Sequence, residues 1–453
     1  MAESTPEDGL SSPASMLSFP EGFRWGVATA SHQYEGDNTN NNWYAWERAG
    51  RIVSGDSCGL AADWWAHAER DFDFAAQLDL NALRLSLEWS RIEPRPGEWD
   101  AQALARYRTM LQGLRERGIE PLVTLHHFTN PLWFEERGAF LASSCVELFA
   151  RYVAHVVEAL GDLCDFWCTI NEPNIYAFTG YQLGVWPPGR KGATLDAIRV
   201  QGNMARAHAA AYATIHSRQP AARVGWAQNY NVFDAANPRS GRDRLLAGIM
   251  DAAFNDIFPR AVLTGKAVFP FSLAAGNLSA VRGTCDFVGI NIYYRDLVTF
   301  DPRRPLEMFS RRSSAPGTPH GDTGAELVTG EVYPQGIARI ARRVSAFGKP
   351  IYVTENGVAD AHDRLRPWLL ATATHAMHEA IADGIDLRGY YHWSLVDNFE
   401  WAEGWTLRFG LAALDIETQE RTPRPSAALY GAIARANGLS AETLRDYIPE
   451  APV

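Results

Sequence analysis

Two glutamates, Glu172 and Glu355, each follow a short apolar run, and together they have the chemistry of paired carboxylates. Glu172 lies in the sequence Asn-Glu-Pro, and Glu355 lies in Thr-Glu-Asn-Gly. One carboxyl of such a pair can protonate a leaving oxygen while the other stabilises or attacks a cationic sugar carbon. A single glutamate at a strand end is more often solvated or half of an ion pair. Two of them, each beside an asparagine, indicate cleavage of a glycosidic bond.

The two glutamates meet only if the fold brings the ends of their strands together. Short β-branched or aromatic runs alternate with longer helical patterns, which predicts βα units and a parallel sheet. Eight runs are predicted as strands, at residues 24–29, 82–87, 121–126, 166–170, 223–228, 287–291, 351–354 and 389–393. Apolar residues spaced three and four apart predict helices between them, for example at residues 101–118, 142–160, 196–219 and 367–383. This pattern predicts an α/β fold, a single (β/α)8 TIM barrel with its active site at the C-terminal strand ends.

The sequence is predicted to form one folded domain. A length of 453 residues fits either about three domains of average size or one barrel with insertions. No linker with a change of composition divides it, so residues 19–453 are predicted to form a single catalytic barrel domain. Residues 1–18 are predicted to be a flexible leader. Residues 295–326, rich in Arg, Pro, Ser and Gly, are predicted to form an irregular loop over the barrel mouth.

The composition narrows the class of partner and the location. Lys and Arg total 42 against 53 Asp and Glu, and the net charge of −11 disfavours nucleic acid and anionic membranes as partners. No signal peptide or apolar window of about 18 residues is found, so a cytoplasmic protein is expected. Five irregularly spaced cysteines argue against a disulfide framework. No His, Cys and Asp cluster has the spacing of metal ligands, so no metal or organic cofactor is expected.

Seven motifs, in order along the chain, give it a family resemblance. From about residue 19 to about residue 430 the sequence resembles glycoside hydrolase family 1, which includes retaining β-glucosidases and β-galactosidases. The motifs are Phe23-Arg24-Trp25-Gly26, Gln33-Tyr34-Glu35-Gly36, Trp89-Ser90-Arg91-Ile92, Thr124-Leu125-His126-His127, Asn171-Glu172-Pro173, Thr354-Glu355-Asn356-Gly357 and Trp393-Ser394-Leu395-Val396-Asp397-Asn398-Phe399-Glu400-Trp401.

The resemblance implies a role for each carboxylate and its neighbours. Glu172 is similar to the family's acid/base and Glu355 to its nucleophile, with carboxyl groups expected about 5–5.5 Å apart. Asn171 is expected to hold the 2-hydroxyl of the sugar. Arg84 and Tyr293 are expected to donate to Glu355 and keep it ionised, because partners of the charged form lower a carboxyl pKa. Burial and Glu355 are expected to raise the pKa of Glu172.

The resemblance also implies a sugar pocket and a leaving-group site. Hydroxyl groups need donors and acceptors, and the flat face of a hexose suits an indole ring. The expected sugar contacts are Gln33, His127, Glu400 and Trp401, with Trp393 as a stacking platform reached through a cis peptide bond to Ser394, and with Asn291 in support. The expected aglycone contacts are Trp186, Phe178, Asn229, Phe409 and the loop of residues 295–326.

The expected activity is hydrolysis of terminal non-reducing β-D-glucosyl residues by double displacement, with glucose as product. Small-molecule β-glycosides, namely cellobiose-like oligosaccharides and aryl or alkyl β-glucosides, are the expected substrates, which suggests a place in cellulose degradation. The carboxylate at Glu400 is expected to repel 6-phosphorylated sugars. The sequence leaves open a β-galactosidase, a β-fucosidase, a β-mannosidase, a transglycosylase or a sugar-binding barrel without catalysis, and it does not indicate the oligomeric state.

Overall fold

A computed structural model describes residues 16–304, 309–322 and 330–447, and in this part of the chain a closed parallel barrel is the central feature. The strands, in chain order, are β1 (Met16–Ser18), β2 (Arg24–Ala28), β3 (Ala82–Ser86), β4 (Glu120–Thr124), β5 (Phe166–Asn171), β6 (Arg223–Ala235), β7 (Phe287–Phe300), β8 (Ser310–Ser313), β9 (Glu331–Val332), β10 (Ile351–Asn356), β11 (Leu387–Trp393), β12 (Ala412–Leu414), β13 (Arg421–Pro423) and β14 (Gly438–Ser440).

Eight of these strands close the barrel. They pair in the order β10, β11, β2, β3, β4, β5, β6 and β7, all in parallel, and β7 pairs with β10 to complete the circle. Each of the eight predicted strands is one of them, so the (β/α)8 prediction is confirmed. Because all eight strands are parallel, their C-terminal ends meet at one mouth.

Helices surround the barrel and connect its strands. The α-helices are α1 (Ser31–Glu35), α2 (Asn42–Arg48), α3 (Trp64–Gln77), α4 (Trp89–Ile92), α5 (Ala101–Glu116), α6 (Leu132–Glu136), α7 (Cys145–Leu160), α8 (Pro173–Ala177), α9 (Thr194–Arg218), α10 (Gly241–Asn255), α11 (Ile257–Thr264), α12 (Ser272–Ala275), α13 (Gly336–Val344), α14 (Arg366–Ala382), α15 (Pro425–Ala436) and α16 (Ala441–Tyr447). A π-helix, Phe178–Leu183, follows α8, and short 3-10 helices lie at Ala139–Leu141, Ser279–Val281, Ser345–Phe347 and Trp401–Glu403.

Helix α5 shows how the sequence builds these elements. Asp100 caps it by accepting hydrogen bonds from the backbone N–H groups of Gln102 and Ala103. Tyr107, Leu111 and Leu114 recur at helical spacing and are buried against the barrel. The predicted helices 101–118, 142–160, 196–219 and 367–383 are confirmed as α5, α7, α9 and α14, with ends shifted by up to three residues.

The predicted irregular loop 295–326 is partly wrong. Strand β7 continues through Phe300, pairing with β6 on one side and antiparallel with β8 on the other. The reason is an alternation in this stretch, since Val298 is fully buried against Leu246 and Met250 while its neighbours are partly exposed. Residues 305–308 and 323–329 of the predicted loop lie outside the described residues.

The two ends of the described chain meet in a small sheet. Residues 16–18, expected to be part of a flexible leader, form β1 and pair antiparallel with β14. Residues 1–15 of the predicted leader lie outside the described residues. All five cysteines are buried and unpaired. None of the helices in the described ranges is long and apolar enough to cross a membrane.

Candidate active site

The two glutamates lie together at the C-terminal mouth of the barrel. Glu172 follows β5, Glu355 lies near the end of β10, and both line a cavity of about 510 Å³. This volume is within the range of about 300–1,000 Å³ that holds a small organic ligand. The two residues are only 6% and 4% exposed. The cavity therefore holds two carboxylates that are largely shielded from solvent.

Glu355 is held by a cation and a phenol. Arg84 on β3 donates from Nη1 to Oε1 at 2.6 Å, and Tyr293 on β7 donates from its hydroxyl to Oε2 at 2.8 Å. Burial raises the pKa of Glu355 above its ordinary value, while Arg84 and Tyr293 lower it. The lowering effect expected of Arg84 and Tyr293 is present, but burial outweighs it, so the net pKa is raised. Arg84 still places a full positive charge against Glu355.

Glu172 is held by amides. Asn291 donates to its Oε1 at 2.8 Å, and Asn229 donates to the same oxygen at 2.9 Å. Burial, followed by the nearby charge of Glu355, raises the pKa of Glu172 to about 8, which agrees in direction with the sequence-based expectation. Because Oε1 accepts both amide hydrogen bonds, a proton on neutral Glu172 resides on Oε2.

The backbone at Glu172 is also unusual. Its φ is +45°, in the left-handed region that favours glycine, and Pro173 begins α8 directly behind it. Phe128 and Trp401 line the same cavity and also have positive φ, at +67° and +49°. Left-handed non-glycine residues cost free energy and cluster at functional sites. Three of them at one cavity support its assignment as the site.

Asn171 connects both carboxylates to His127. Its Oδ1 accepts hydrogen bonds from Arg84 at 2.6 Å and Asn291 at 3.1 Å, so its Nδ2 must donate to His127 Nε2, 3.0 Å away. His127 therefore carries its proton on Nδ1, and burial lowers its pKa well below 6.5 and keeps it neutral. No partner for Nδ1 exists among the described protein groups, so His127 has a spare donor at the cavity wall.

A third carboxyl side chain, Glu400, also lines the cavity. Its Oε2 accepts hydrogen bonds from Gln33 and from Asn398, each at 3.2 Å. Burial raises the pKa of Glu400 to about 8. Gln33 is fully buried, and its Oε1 has no partner within the described part of the protein. Gln33 and Glu400 therefore keep hydrogen-bonding capacity for a polar ligand.

Aromatic rings form the wall beside Glu400. Trp401 is the centre of this group, with ring centroids 4.8–6.1 Å from those of Trp43, Phe128, His127, Trp186 and His32. Trp393, at the end of β11, also lines the cavity, and its ring centroid is 6.1 Å from that of His127. The peptide bond from Trp393 to Ser394 is cis, as the family resemblance implies.

Gly357 has a different role from the one its motif suggests. Glycine after such a strand ordinarily permits a tight turn, because it can adopt backbone conformations that other residues avoid. In the structure, a side chain at Gly357 would collide with the backbone carbonyl of Trp393. Gly357 therefore permits the close approach of the chain segments that carry Glu355 and Trp393.

The structure brings the fifteen individually predicted site residues to one place, in two groups. Eleven line the cavity: Glu172, Glu355, His127, Tyr293, Trp393, Glu400, Trp401, Trp186, Phe178, Asn229 and Phe409. Gln33, Arg84, Asn171 and Asn291 lie behind this wall and hydrogen-bond to residues in it. Of the predicted loop 295–326, Asp296, Ser310 and Arg312 also line the cavity.

Sequence reasoning missed part of the site. Asn229, expected only as an aglycone contact, donates directly to Glu172, and Asn398 donates to Glu400. Phe254 and Phe271 line the cavity and were not predicted to do so. The position of Asn398 within the Trp393 to Trp401 motif was a usable signal. Nothing in the sequence marks Phe254 as a cavity residue. Its helical spacing with Met250 and Ile257 predicts an apolar face but does not show whether that face lines a cavity.

The described residues contain no candidate metal site. Across residues 16–304, 309–322 and 330–447, no group of three or more His, Cys, Asp or Glu side chains is placed to hold a metal ion. Glu172, Glu355, Glu400, His127 and Tyr293 are each hydrogen-bonded to a protein partner. The other titratable side chains that line the cavity are Glu403, Asp296, Arg312, Tyr230 and Tyr294.

Comparison with known proteins gives one consistent result. The sequence profile described as Glycosyl hydrolase family 1 matches residues 15–439. Beta-glucosidase A of Thermotoga maritima is 31% identical, over 93% of this chain and 98% of that protein. A beta-galactosidase of Pyrococcus woesei is also 31% identical, over 93% and 98%.

Solved structures of similar enzymes have the same fold as this chain. The family 1 β-glucosidase of T. maritima superposes with a TM-score of 0.88 at 31% identity, covering 94% of this chain and all of that one. A beta-glycosidase from Pyrococcus horikoshii gives a TM-score of 0.85 at 36% identity, covering 96% and 98%. The T. maritima enzyme has also been solved in complex with glucoimidazole, with a TM-score of 0.86 at 30% identity, covering 93% and 100%.

Proposed function

The chain belongs to glycosyl hydrolase family 1, and from that premise we propose that it is a retaining β-glucosidase. Its substrates are cellobiose-like oligosaccharides and aryl or alkyl β-glucosides, from which it releases glucose at the non-reducing end. The main support for the proposal is the asymmetry of the two buried carboxylates: within the described part of the chain, a guanidinium donates to the side chain of Glu355, whereas only side-chain amides donate to that of Glu172.

This asymmetry decides which carboxyl holds the proton. Two like charges close together in a shielded site cannot both ionise easily. Arg84 stabilises the negative form of Glu355, whereas Glu172 has a pKa of about 8 because of burial and of the charge on Glu355. At neutral pH the pair therefore holds one negative charge on Glu355 and one proton on Oε2 of Glu172. An acid and a nucleophile are thus ready in the same cavity.

The proposed reaction has two displacements. Glu355 attacks the anomeric carbon while Glu172 gives its proton to the leaving oxygen, and the sugar becomes covalently attached to Glu355. Esterification removes the charge of Glu355, one of the causes that raise the pKa of Glu172. Glu172 can then act as a base toward water, which releases the sugar with its β configuration retained.

The sugar itself is proposed to sit between the polar and aromatic walls. Gln33, His127 and Glu400 would bind its hydroxyls, and Trp393 and Trp401 would cover its apolar face. Asn171, whose amide is fixed by Arg84 and Asn291, would meet the 2-hydroxyl. Because Glu400 lies at this wall, a 6-phosphate would face a carboxyl group instead of a cation, and it is expected to bind poorly.

A β-galactosidase is the second candidate function, because relatives of equal identity carry that name. Initial rates on 4-nitrophenyl β-glucoside, β-galactoside, β-fucoside, β-mannoside and 6-phospho-β-glucoside, with the wild type beside Glu172→Gln and Glu355→Gln, test both. The proposal expects the glucoside to lead, the phosphorylated sugar to be inert and both variants to fail on cellobiose. A faster galactoside would favour the second candidate, and no turnover of any member would contradict the proposed activity.

A further inference from the structure

The cavity wall next to Glu172 contains polar side chains as well as aromatic rings. Asn174, two residues after Glu172, donates to the backbone oxygen of Asn229 at 2.9 Å. Four side chains that line the cavity have an oxygen without a hydrogen-bond partner in the described ranges, namely Asn174 Oδ1, Gln201 Oε1, Tyr230 Oη and Asn231 Oδ1. Three of these oxygens are amide acceptors, to which the hydroxyls of a ligand can donate. This wall therefore suits a hydroxylated leaving group.

Arg312, on β8, adds a positive charge to the same cavity. Among the described residues that line the cavity, it is the only lysine or arginine. Its Nη1 donates to Asp296 Oδ2 at 3.4 Å, and Asn231 donates to the same oxygen at 2.7 Å. The side chain of Arg312 makes no other hydrogen bond or ion pair within the described part of the chain, and it is 34% exposed. A guanidinium has five N–H donors, so most of those of Arg312 remain for a ligand.

Another half-buried arginine shows what Arg312 can still bind. Arg223 donates from Nη2 to Glu120 at 2.8 Å and to Asp165 at 3.0 Å, and its side chain is 29% exposed. Arg312 is exposed to a similar degree but has only one long contact, to Asp296. The planar guanidinium matches a carboxylate in shape and charge. A ligand carboxylate at Arg312 would complete the arrangement that Arg223 makes with two protein carboxylates.

We propose that Arg312 binds a carboxylate of the leaving group, so that this enzyme prefers β-glucosides of hydroxylated organic acids. This inference rests on the proposed function, because Glu172 must protonate the oxygen at the other end of the same leaving group. Asp296 follows Asn291, which contacts Glu172, by five residues of β7. Five residues of a strand span about 17 Å. The carboxylate is therefore expected at the far end of the leaving group.

The other charges of the cavity leave room for an anion. Glu172 and Glu400 each have a pKa of about 8, so both are mostly neutral at pH 7, and Arg84 balances the charge of the proposed nucleophile. Asp296 and Glu403 also line the cavity and would repel an anion. The inference therefore requires that the attraction of the nearby guanidinium outweigh these two carboxylates.

The first test compares acids with their uncharged counterparts. One pair is the 4-O-β-glucosides of 3-(4-hydroxyphenyl)propanoic acid and of its methyl ester, whose saturated linker separates the charge from the reacting oxygen. The second pair is cellobionic acid, which has a sugar acid as leaving group, and cellobiitol. The inference expects kcat/KM of the acid to be about tenfold higher in at least one pair, the usual effect of a charge-assisted hydrogen bond. The pair that responds distinguishes phenolic acids from sugar acids, and no preference in either pair would overturn the inference.

Arg312→Gln and Arg311→Gln form a matched pair of variants. Arg311 precedes Arg312 on β8, is exposed and does not line the cavity. The ratio of kcat/KM for the acid to kcat/KM for its counterpart should fall to near unity in Arg312→Gln and keep its wild-type value in Arg311→Gln. Equal losses in the two variants would attribute the preference to the general charge of the strand and would overturn the inference.

Asp296→Asn and added salt test the same contact in opposite directions. Without the charge of Asp296, a ligand carboxylate meets less repulsion at Arg312, so the ratio should rise. Raising NaCl from about 0.05 M to about 0.5 M should lower the ratio in the wild type, because salt screens a partly exposed charge pair. The salt series requires no variant to fold, and a ratio that salt does not change would contradict a charge contact.

Binding separates this inference from the proposed function. Calorimetry of the same pairs with Glu355→Gln measures the anion site without turnover. Tighter binding of an acid by about tenfold, lost when Arg312→Gln is added, supports the site even if no glucoside is hydrolysed. Equal binding within both pairs contradicts the site even if the enzyme hydrolyses aryl glucosides.

Discussion

At the N-terminal end of the barrel, Glu120 stands between Arg24 at 2.9 Å and Arg223 at 2.8 Å, whereas at the C-terminal end Glu172 and Glu400 are hydrogen-bonded by amides. Burial raises the pKa of Glu120, but the two guanidinium groups outweigh it and the pKa is lowered. Burial raises the pKa of Glu172 and of Glu400 to about 8.

The carboxyl groups at the two ends of the barrel therefore differ in protonation state, which suits one end to stabilising the fold and the other to the proposed chemistry. Paired with cations, Glu120 stays ionised and links β4 to β2 and β6, each two strands away in the barrel. Bonded to neutral amides, a carboxylate at the second end keeps a proton at neutral pH, which is the state that an acid catalyst requires.

Loss of the proposed nucleophile should have the largest effect. Glu355→Gln keeps the shape of the side chain but removes the attacking charge, so kcat/KM on 4-nitrophenyl β-glucoside should fall by about 10⁴-fold or more. In Glu355→Gly, azide should restore turnover, because a small anion can enter the space and attack in place of the carboxylate. Absence of rescue, with a folded variant, would contradict the nucleophile assignment.

Loss of the proposed acid should depend on the leaving group. Glu172→Gln should lower kcat/KM on cellobiose by about 10²–10⁴-fold, the usual contribution of general acid catalysis. The first step on 4-nitrophenyl β-glucoside, whose leaving group needs no proton, should be affected far less. Equal losses on both substrates in single-turnover measurements would contradict the role of Glu172 as acid.

The proton on Glu172 should also set the alkaline limb of the pH profile. With a pKa of about 8, kcat/KM is expected to fall about tenfold for each pH unit above that value. Glu400 has a similar pKa, so Glu400→Gln is the control and should retain the limb. A limb that disappears in Glu400→Gln and persists in Glu172→Gln would reverse the assignment.

The smallest expected effects concern stability and have opposite signs at the two ends. The lowered pKa of Glu120 stabilises the fold above about pH 4.5 and loses this effect in acid, so Glu120→Gln should lower Tm by a few degrees at pH 7 and by less at pH 3.5. Its kcat/KM should stay within twofold of wild type.

Glu400→Gln should behave in the opposite way. The pKa of Glu400 is raised, so its contribution is complete below about pH 4.5 and is lost as the pH rises through about 8. Removing the ionisable group should therefore raise Tm at pH 8 more than at pH 4.5, while kcat/KM falls. Parallel changes in Tm for Glu120→Gln and Glu400→Gln would remove the contrast between the two ends.

The sequence predicted the parts of the fold and site that follow from local pattern. The eight strands were readable because each is a compact apolar run, and Glu172 and Glu355 were readable because each follows such a run. The continuation of β7 to Phe300 was missed because the stretch 295–326 is rich in Arg, Pro, Ser and Gly, although the alternation through Val298 indicates a strand. The cytoplasmic location stays a prediction.

Features that depend on three-dimensional packing were not readable. The raised pKa of Glu355 results from burial that exceeds the effect of Arg84, and this balance depends on the closed mouth of the barrel. Likewise, Asn229 contacts Glu172 only because β5 and β6 are neighbours. Phe254 and Phe271 come from separate segments, and only the fold places both at one cavity.

The proposed double displacement is tested most directly by the anomeric configuration of the first product. Proton NMR spectra recorded in the first minutes of hydrolysis of 4-nitrophenyl β-glucoside show which anomer of glucose is released before mutarotation. A double displacement by Glu355 and Glu172 predicts that the β-anomer appears first. Initial release of the α-anomer would show a single displacement by water and would contradict the roles proposed for both glutamates.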